Sequence, residues 1–110
     1  MNVLIHTKNV ITNEFLRRYA DRSLKFALDR FSHAVRDVHV FLADSNGPRG
    51  GVDKLCRVRV RLFPKGSVVI EDIKEDIISA IDSTAERLRR AVSRQVDRRK
   101  QVRKRSIVLK

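Results

Sequence analysis

Apolar residues recur along this chain with two periods, and the periods divide it into elements. Val3 and Ile5 alternate with Leu4 and His6, which predicts a short first strand. Thr12 is placed as the N-cap of a helix, with Glu14 in the first turn. Leu16, Ala20, Leu24, Ala27 and Phe31 then recur every three or four residues, one face of an amphipathic helix from about Asn13 to Phe31. Val38, Val40 and Leu42 alternate in a second strand. Cys56, Val58, Val60 and Leu62 alternate against Arg57, Arg59 and Arg61, the pattern of a strand with one buried and one wet face. Pro64-Lys65-Gly66 predicts a tight turn, and Val68 to Ile70 a fourth strand. Ile77, Ile81, Thr84, Leu88 and Val92 mark the apolar stripe of a long second helix. Asp72, Glu75 and Asp76 cluster at its start and bases at its end, as the helix dipole favours.

The order β-α-β-β-β-α predicts an α+β fold. Two helices cover one face of a four-stranded mixed sheet, as in double-stranded RNA-binding domains, and leave the other face to solvent. The first two strands are expected to be parallel through a right-handed crossover and the rest antiparallel. The stretch from Asp44 to Lys54 holds three of the four glycines and Pro48, so it reads as a loop. One domain over residues 1–100 and a basic tail over 101–110 account for the length. Fraying is expected from about Val96 onward, with Ile107 to Leu109 the only candidate for a further short strand.

Charge changes the picture most. Lys and Arg number 25 against 13 Asp and Glu, a formal charge of +12. That excess favours a polyanionic partner, nucleic acid before membrane. The start, MNVLIHTKNV, has no basic region ahead of its apolar residues, and no apolar run approaches the ~20 residues that span a bilayer. A cytoplasmic location and no membrane partner are expected. Cys56 is the only cysteine, which excludes an intrachain disulfide, and its strand position points it into the core.

Between Arg87 and Arg105 stand ten Lys or Arg and one acid, Asp97. Like charges this dense repel one another unless a polyanion meets them. Arg87, Arg90 and Arg94 are spaced i, i+3, i+7 and share one side of the helix. At ~100° per residue, that side lies about a third of a turn from the apolar stripe. The planar guanidinium suits phosphate because it donates two parallel hydrogen bonds. Arg98, further along the same stretch, joins the expected RNA-contacting set. On the first helix, Arg22 and Lys25 lie one turn apart, away from the core stripe. Taken alone, that pair is ordinary helix surface. Arg57, Arg59 and Arg61 have no aromatic residues interleaved with them, so a stacking platform for bases is not expected there. They could bind phosphate or keep the open sheet face soluble, and the second role is favoured.

Enzymatic chemistry finds no constellation. His6, His33 and His39 have no ligand spacing, and Glu71, Asp72, Glu75 and Asp76 are explained by the helix dipole without a metal. Gly47, Gly50 and Gly51 join two strands and open no helix, so they form no phosphate loop. No catalytic residue, metal or cofactor is expected. The alternative binding role is that of a general double-stranded RNA-binding domain.

Several of these residues fall into a known order. Ala20-Asp21-Arg22 followed by Lys25, then DIISAID from Asp76 to Asp82, then Arg87-Leu88, Arg90 and Arg94, with Lys8 ahead of Val10-Ile11-Thr12, resemble the motifs of the ribosome hibernation-promoting factors. These are also called ribosome-associated translation inhibitors. Ile77 and Ile78 stand where that family's DMYAAID has Met-Tyr. The resemblance runs from about Met1 to Lys100. It implies the β-α-β-β-β-α fold and binding to the small ribosomal subunit, alone or within the whole ribosome, in the channel for messenger RNA and transfer RNA anticodons. It also implies inhibition of translation in stress or stationary phase. Lys8, Arg22, Lys25, Arg87, Arg90 and Arg94 would then meet ribosomal RNA. The chain ends without the additional C-terminal domain of long members, so a short form that is monomeric off the ribosome is expected.

Overall fold

The computed structural model describes residues 1–10, 13–44 and 53–108, with side chains as far as Arg99. Its elements are β1 (Val3–Lys8), α1 (Glu14–Leu28), a 3-10 segment (Asp29–Ala34), β2 (Val35–Asp44), β3 (Lys54–Leu62), β4 (Ser67–Lys74) and α2 (Ile77–Val108). The strands lie in the order β1-β2-β3-β4. β1 is parallel to β2, with Ile5 beside Val40, and both other pairs are antiparallel, with Val58 beside Val40 and Ile70. The α+β architecture and strand directions agree with the alternation in the sequence.

The core forms where the buried parity of the strands meets the helix stripes. Val38, Val40, Val58 and Val60 from the sheet pack with Leu24 and Leu28 of α1 and with Ile81, Leu88 and Val92 of α2. Cys56 is fully buried in this layer, and burial pushes its thiol pKa up to about 11. Its side chain packs as part of the core. Beside it, the buried Thr84 hydroxyl donates to the Cys56 carbonyl at 3.4 Å.

Several boundaries differ from the sequence reading, each for a local reason. Asn13, with extended backbone, caps α1: its Oδ1 accepts from the Leu16 amide at 2.8 Å. Thr12 and the glycine-rich loop over 45–52 lie outside the described residues. The α-helix stops at Leu28, where the tighter 3-10 segment turns Phe31 into the core, with the Arg30 guanidinium 5.6 Å from its ring centre. β4 extends from Ser67 to Lys74 because it pairs with β3 throughout. α2 does not fray at Val96. Val96 is buried, and Arg99 reaches across to donate to the carbonyls of Phe63 and Lys65 in the β3–β4 turn. The turn needs glycine at position 66: φ is +101°, and an added Cβ would lie 2.8 Å from the Arg99 Nη2. Beyond Arg99 the backbone stays helical to Val108, so Ile107 is in a helix and not in a strand.

Candidate nucleic-acid interface

α2 sets the geometry of the basic surface. Its first turn is fixed by Asp76, whose Oδ1 accepts from the Ser79 amide at 2.9 Å and whose Oδ2 accepts from the Ser79 hydroxyl at 2.6 Å. These bonds hold the Asp76 carboxyl below the usual carboxylate range. Ala80 and Ile81 enter the core. From Ile77 the helix runs for 32 residues, about 48 Å at 1.5 Å per residue. Leu88, Val92 and Val96 keep one side on the sheet, and Arg87, Arg90, Arg94 and Arg98 are all exposed.

These four arginines differ in what holds them. Arg87 leans toward the sheet edge: its Nη1 donates to the Glu71 carbonyl at 3.0 Å and lies 3.6 Å from Asp72. The Ser83 hydroxyl, which donates to Asp72, does most to hold that carboxyl low, and Arg87 adds to it. Arg90 shares Glu86 with Arg89, at 3.2 and 2.8 Å, and the Arg89 bond leads in lowering the Glu86 pKa. Among the described residues, Arg94 has only a long contact, Nε to the Arg90 carbonyl at 3.5 Å. Arg98 has no hydrogen bond or ion pair among the described residues. Among the described residues, Arg94 and Arg98 therefore have no carboxylate partner.

On α1, Arg22 is exposed and has no ion pair among the described residues, while Lys25 pairs with Asp21 at 3.1 Å across one turn. Both charges in that pair are well exposed, so water screens it and a phosphate can compete for the lysine. Lys8 is placed apart from the others. It is exposed at the end of β1, on the parity of Leu4 and His6, hence toward the sheet face opposite the helices.

The open sheet face holds more than the sequence reading gave it. β2 sets Phe41 beside Arg57, His39 beside Arg59 and Asp37 beside Arg61. The His6 and His39 rings stack at 5.9 Å, nearly parallel. Aromatic rings do stand among these arginines, brought in from neighbouring strands. Inspection of β3 alone could not reveal them. Two of the three arginines are neutralised in place: Arg57 by Glu71 at 2.7 Å, and Arg61 through both carboxylate oxygens of Asp37. The Arg61 pair is the main reason that the Asp37 pKa is lowered.

A second set of aromatics lies on α1. Phe15, Tyr19 and Phe26 lie on the outer side of α1 with Arg18, Arg22 and Ser23 and line a shallow groove. Phe15 is 67% exposed and Phe26 85%. Their spacing of four and seven residues placed them on one face from the start. In the sequence that face is not distinguished from ordinary helix surface, because exposed rings carry no periodic signal of their own beside the core stripe. Among the described residues, no group of three or more His, Cys, Asp or Glu is arranged to hold a metal ion. No described helix is long and apolar enough to cross a membrane.

A family model described as Sigma 54 modulation protein / S30EA ribosomal protein matches residues 3–100. The chain belongs to this family. Among solved structures, it is similar to the N-terminal domain of Protein Y from Thermus thermophilus, with 27% identity and a TM-score of 0.70, covering 86% of this chain and 98% of that one. It is also similar to a ribosomal subunit interface protein from Coxiella burnetii, with a TM-score of 0.73 over 88% of this chain and 99% of that one. At 15% identity the latter likeness is one of fold. No curated protein sequence matches. The DIISAID stretch, which carried part of the family resemblance, turns out to be architectural. Asp76 caps α2, Ala80 and Ile81 fill the core, and Asp82 accepts from the Tyr19 hydroxyl of α1 at 2.5 Å.

Proposed function

We propose that this chain binds the small ribosomal subunit, free or within the whole ribosome, through phosphates of ribosomal RNA in the channel used by messenger RNA and transfer RNA. Occupying that channel inhibits translation in stress or stationary phase. The observation that carries this reading is the run of exposed arginines on α2, with Arg94 and Arg98 lacking a carboxylate partner among the described residues, in a member of this family. A cation with no local partner forms a charge-assisted bond to phosphate without first breaking an internal one. The contact set is Arg87, Arg90, Arg94 and Arg98 of α2 with Arg22 and Lys25 of α1. Lys8 reaches the same RNA only where it wraps past the end of β1. Residues 1–100 form the binding domain, and the basic residues among 101–110 add to its attraction for the same polyanion. The protein acts in the cytoplasm, without a catalytic step, and is a monomer off the ribosome. Light scattering at micromolar protein tests the last point, and a stable dimer would contradict it.

A cell-free translation system tests the function. Added protein is expected to lower synthesis in proportion to its occupancy of ribosomes. The variant Arg87→Gln, Arg90→Gln, Arg94→Gln is expected to lose that effect, because Gln keeps the helix and removes the charge. Unchanged synthesis with wild-type protein in excess over ribosomes would refute the inhibitory role. A general double-stranded RNA binder would instead be titrated away equally by any A-form duplex.

A further inference from the structure

We propose that the outer face of α1 is a stacking site for unpaired nucleotides, with the rings of Phe15 and Phe26 taking bases and Arg22 taking the phosphate between them. The proposal rests on the reading that the helical layer meets ribosomal RNA, and it names the part of the RNA that this layer engages.

Phe15 and Phe26 are the two most exposed large apolar residues among those described, on a helix whose opposite side is fully packed. At 100° per residue, positions 15 and 26 differ by only about 20° around the axis, with position 22 on the same line. Arg22, between the rings, has no ion pair or hydrogen bond among the described residues. Arg18 pairs only with Glu14, at 3.1 Å, with both groups more than two-thirds exposed. The groove is held ready: Tyr19 stacks on Phe15 at 6.1 Å and is tied by its hydroxyl to Asp82 of α2. Exposed rings interleaved with cations are the equipment of single-strand binders, in which every base offers a π-face and the backbone follows the charge.

The spacing selects the form of RNA. Eleven residues of helix separate the rings by about 16 Å, far more than the ~3.4 Å between neighbouring bases in a duplex. A paired strand also keeps its bases within the stack. The two rings therefore suit splayed, unpaired nucleotides. Charge argues for RNA over an apolar protein segment, because the stripe sits in a chain of net charge +12 with its central arginine unneutralised.

The chain has no tryptophan, so Phe26→Trp installs a single reporter at the site. Its fluorescence is expected to be quenched by an unstructured oligoribonucleotide and left unchanged by a duplex of the same length. Arg22→Gln in that background should weaken binding and reduce its salt dependence. In the wild-type background, Phe15→Ala with Phe26→Ala should weaken binding to purified small subunits by about fivefold or more, with the salt dependence intact, since stacking is not ionic. Both rings are exposed and Ala favours helix, so this variant keeps its fold, which circular dichroism verifies. Equal quenching by duplex, or wild-type affinity of the Ala variant for subunits, overturns the stacking site while leaving ribosome binding in place. A photo-crosslinker at position 26 that captures a ribosomal protein in place of ribosomal RNA overturns it as well. Absence of subunit binding by wild type would refute the ribosome reading. The oligonucleotide titration would still decide the stacking site.

Discussion

Asp76 shows how one residue serves both fold and charge. Its carboxylate accepts two bonds from Ser79 at the head of α2, and these lower its pKa. A depressed carboxyl pKa contributes stability that is present above the unfolded value and lost as pH falls through the folded one. Asp72, held low by Ser83 first, acts with the same sign in the same acidic window. Asp76→Asn keeps a capping oxygen but removes the titration. In thermal melts from about pH 7 down to about pH 3, the wild type is expected to lose more of its melting temperature than the Asn variant. Parallel curves would mean that the bonds to Ser79 contribute nothing ionic. At this scale the sequence was partly legible. Its acids at the start of α2 were read as dipole complements, but which acid caps the helix depends on backbone geometry. The cap of α1 was misassigned by one residue for the same reason, since Thr12 and Asn13 are both good caps and only the Leu16 amide distinguishes them.

At the scale of elements, alternation and helical periodicity carried most of the fold. Each buried parity in β2 and β3 was read correctly, because a one-residue shift would have turned valines outward and arginines inward. What escaped depends on neighbours distant in sequence. β2 puts Phe41 and His39 beside the β3 arginines, and Arg99 docks on a turn more than thirty residues earlier. The same comparison separates the two basic faces. On β3, Arg57 and Arg61 already bond Glu71 and Asp37, so an incoming phosphate must displace a carboxylate; among the described residues Arg94 and Arg98 have none to displace. Changing Arg94 and Arg98 to Gln is expected to weaken ribosome binding by roughly 1–3 kcal/mol per lost contact. Changing Arg57 and Arg61 to Gln removes the same charge and should cost much less. Competition binding with labelled protein checks this, and the reverse ranking would put the docking surface on the sheet. Arg87 is the less clean probe, because its loss also frees the Glu71 carbonyl.

The whole molecule is a packed sheet with one long helix whose basic half extends the surface. Its net charge of +12 means that attraction to any polyanion operates at long range, so charge alone does not select a face; on the proposed reading the arginines of α2 do. Each phosphate neutralised releases counterions, so log affinity should fall against log salt with a slope of about 0.7–0.9 per contact. A six-contact interface would thus respond steeply, and a flat response would remove the electrostatic basis of the account. The excess of positive charge was legible from composition, and the spacing of Arg87, Arg90 and Arg94 along one helix side from the sequence. The neutralising partners of each arginine were not, because carboxylates on other elements supply them. The most direct test is sedimentation of the protein with purified small subunits through a sucrose gradient at moderate salt, beside the variant with Arg87, Arg90 and Arg94 changed to Gln. The account requires wild-type protein to travel with the subunit and the variant to stay near the top. Wild-type protein left at the top, or both proteins carried down equally, would contradict it.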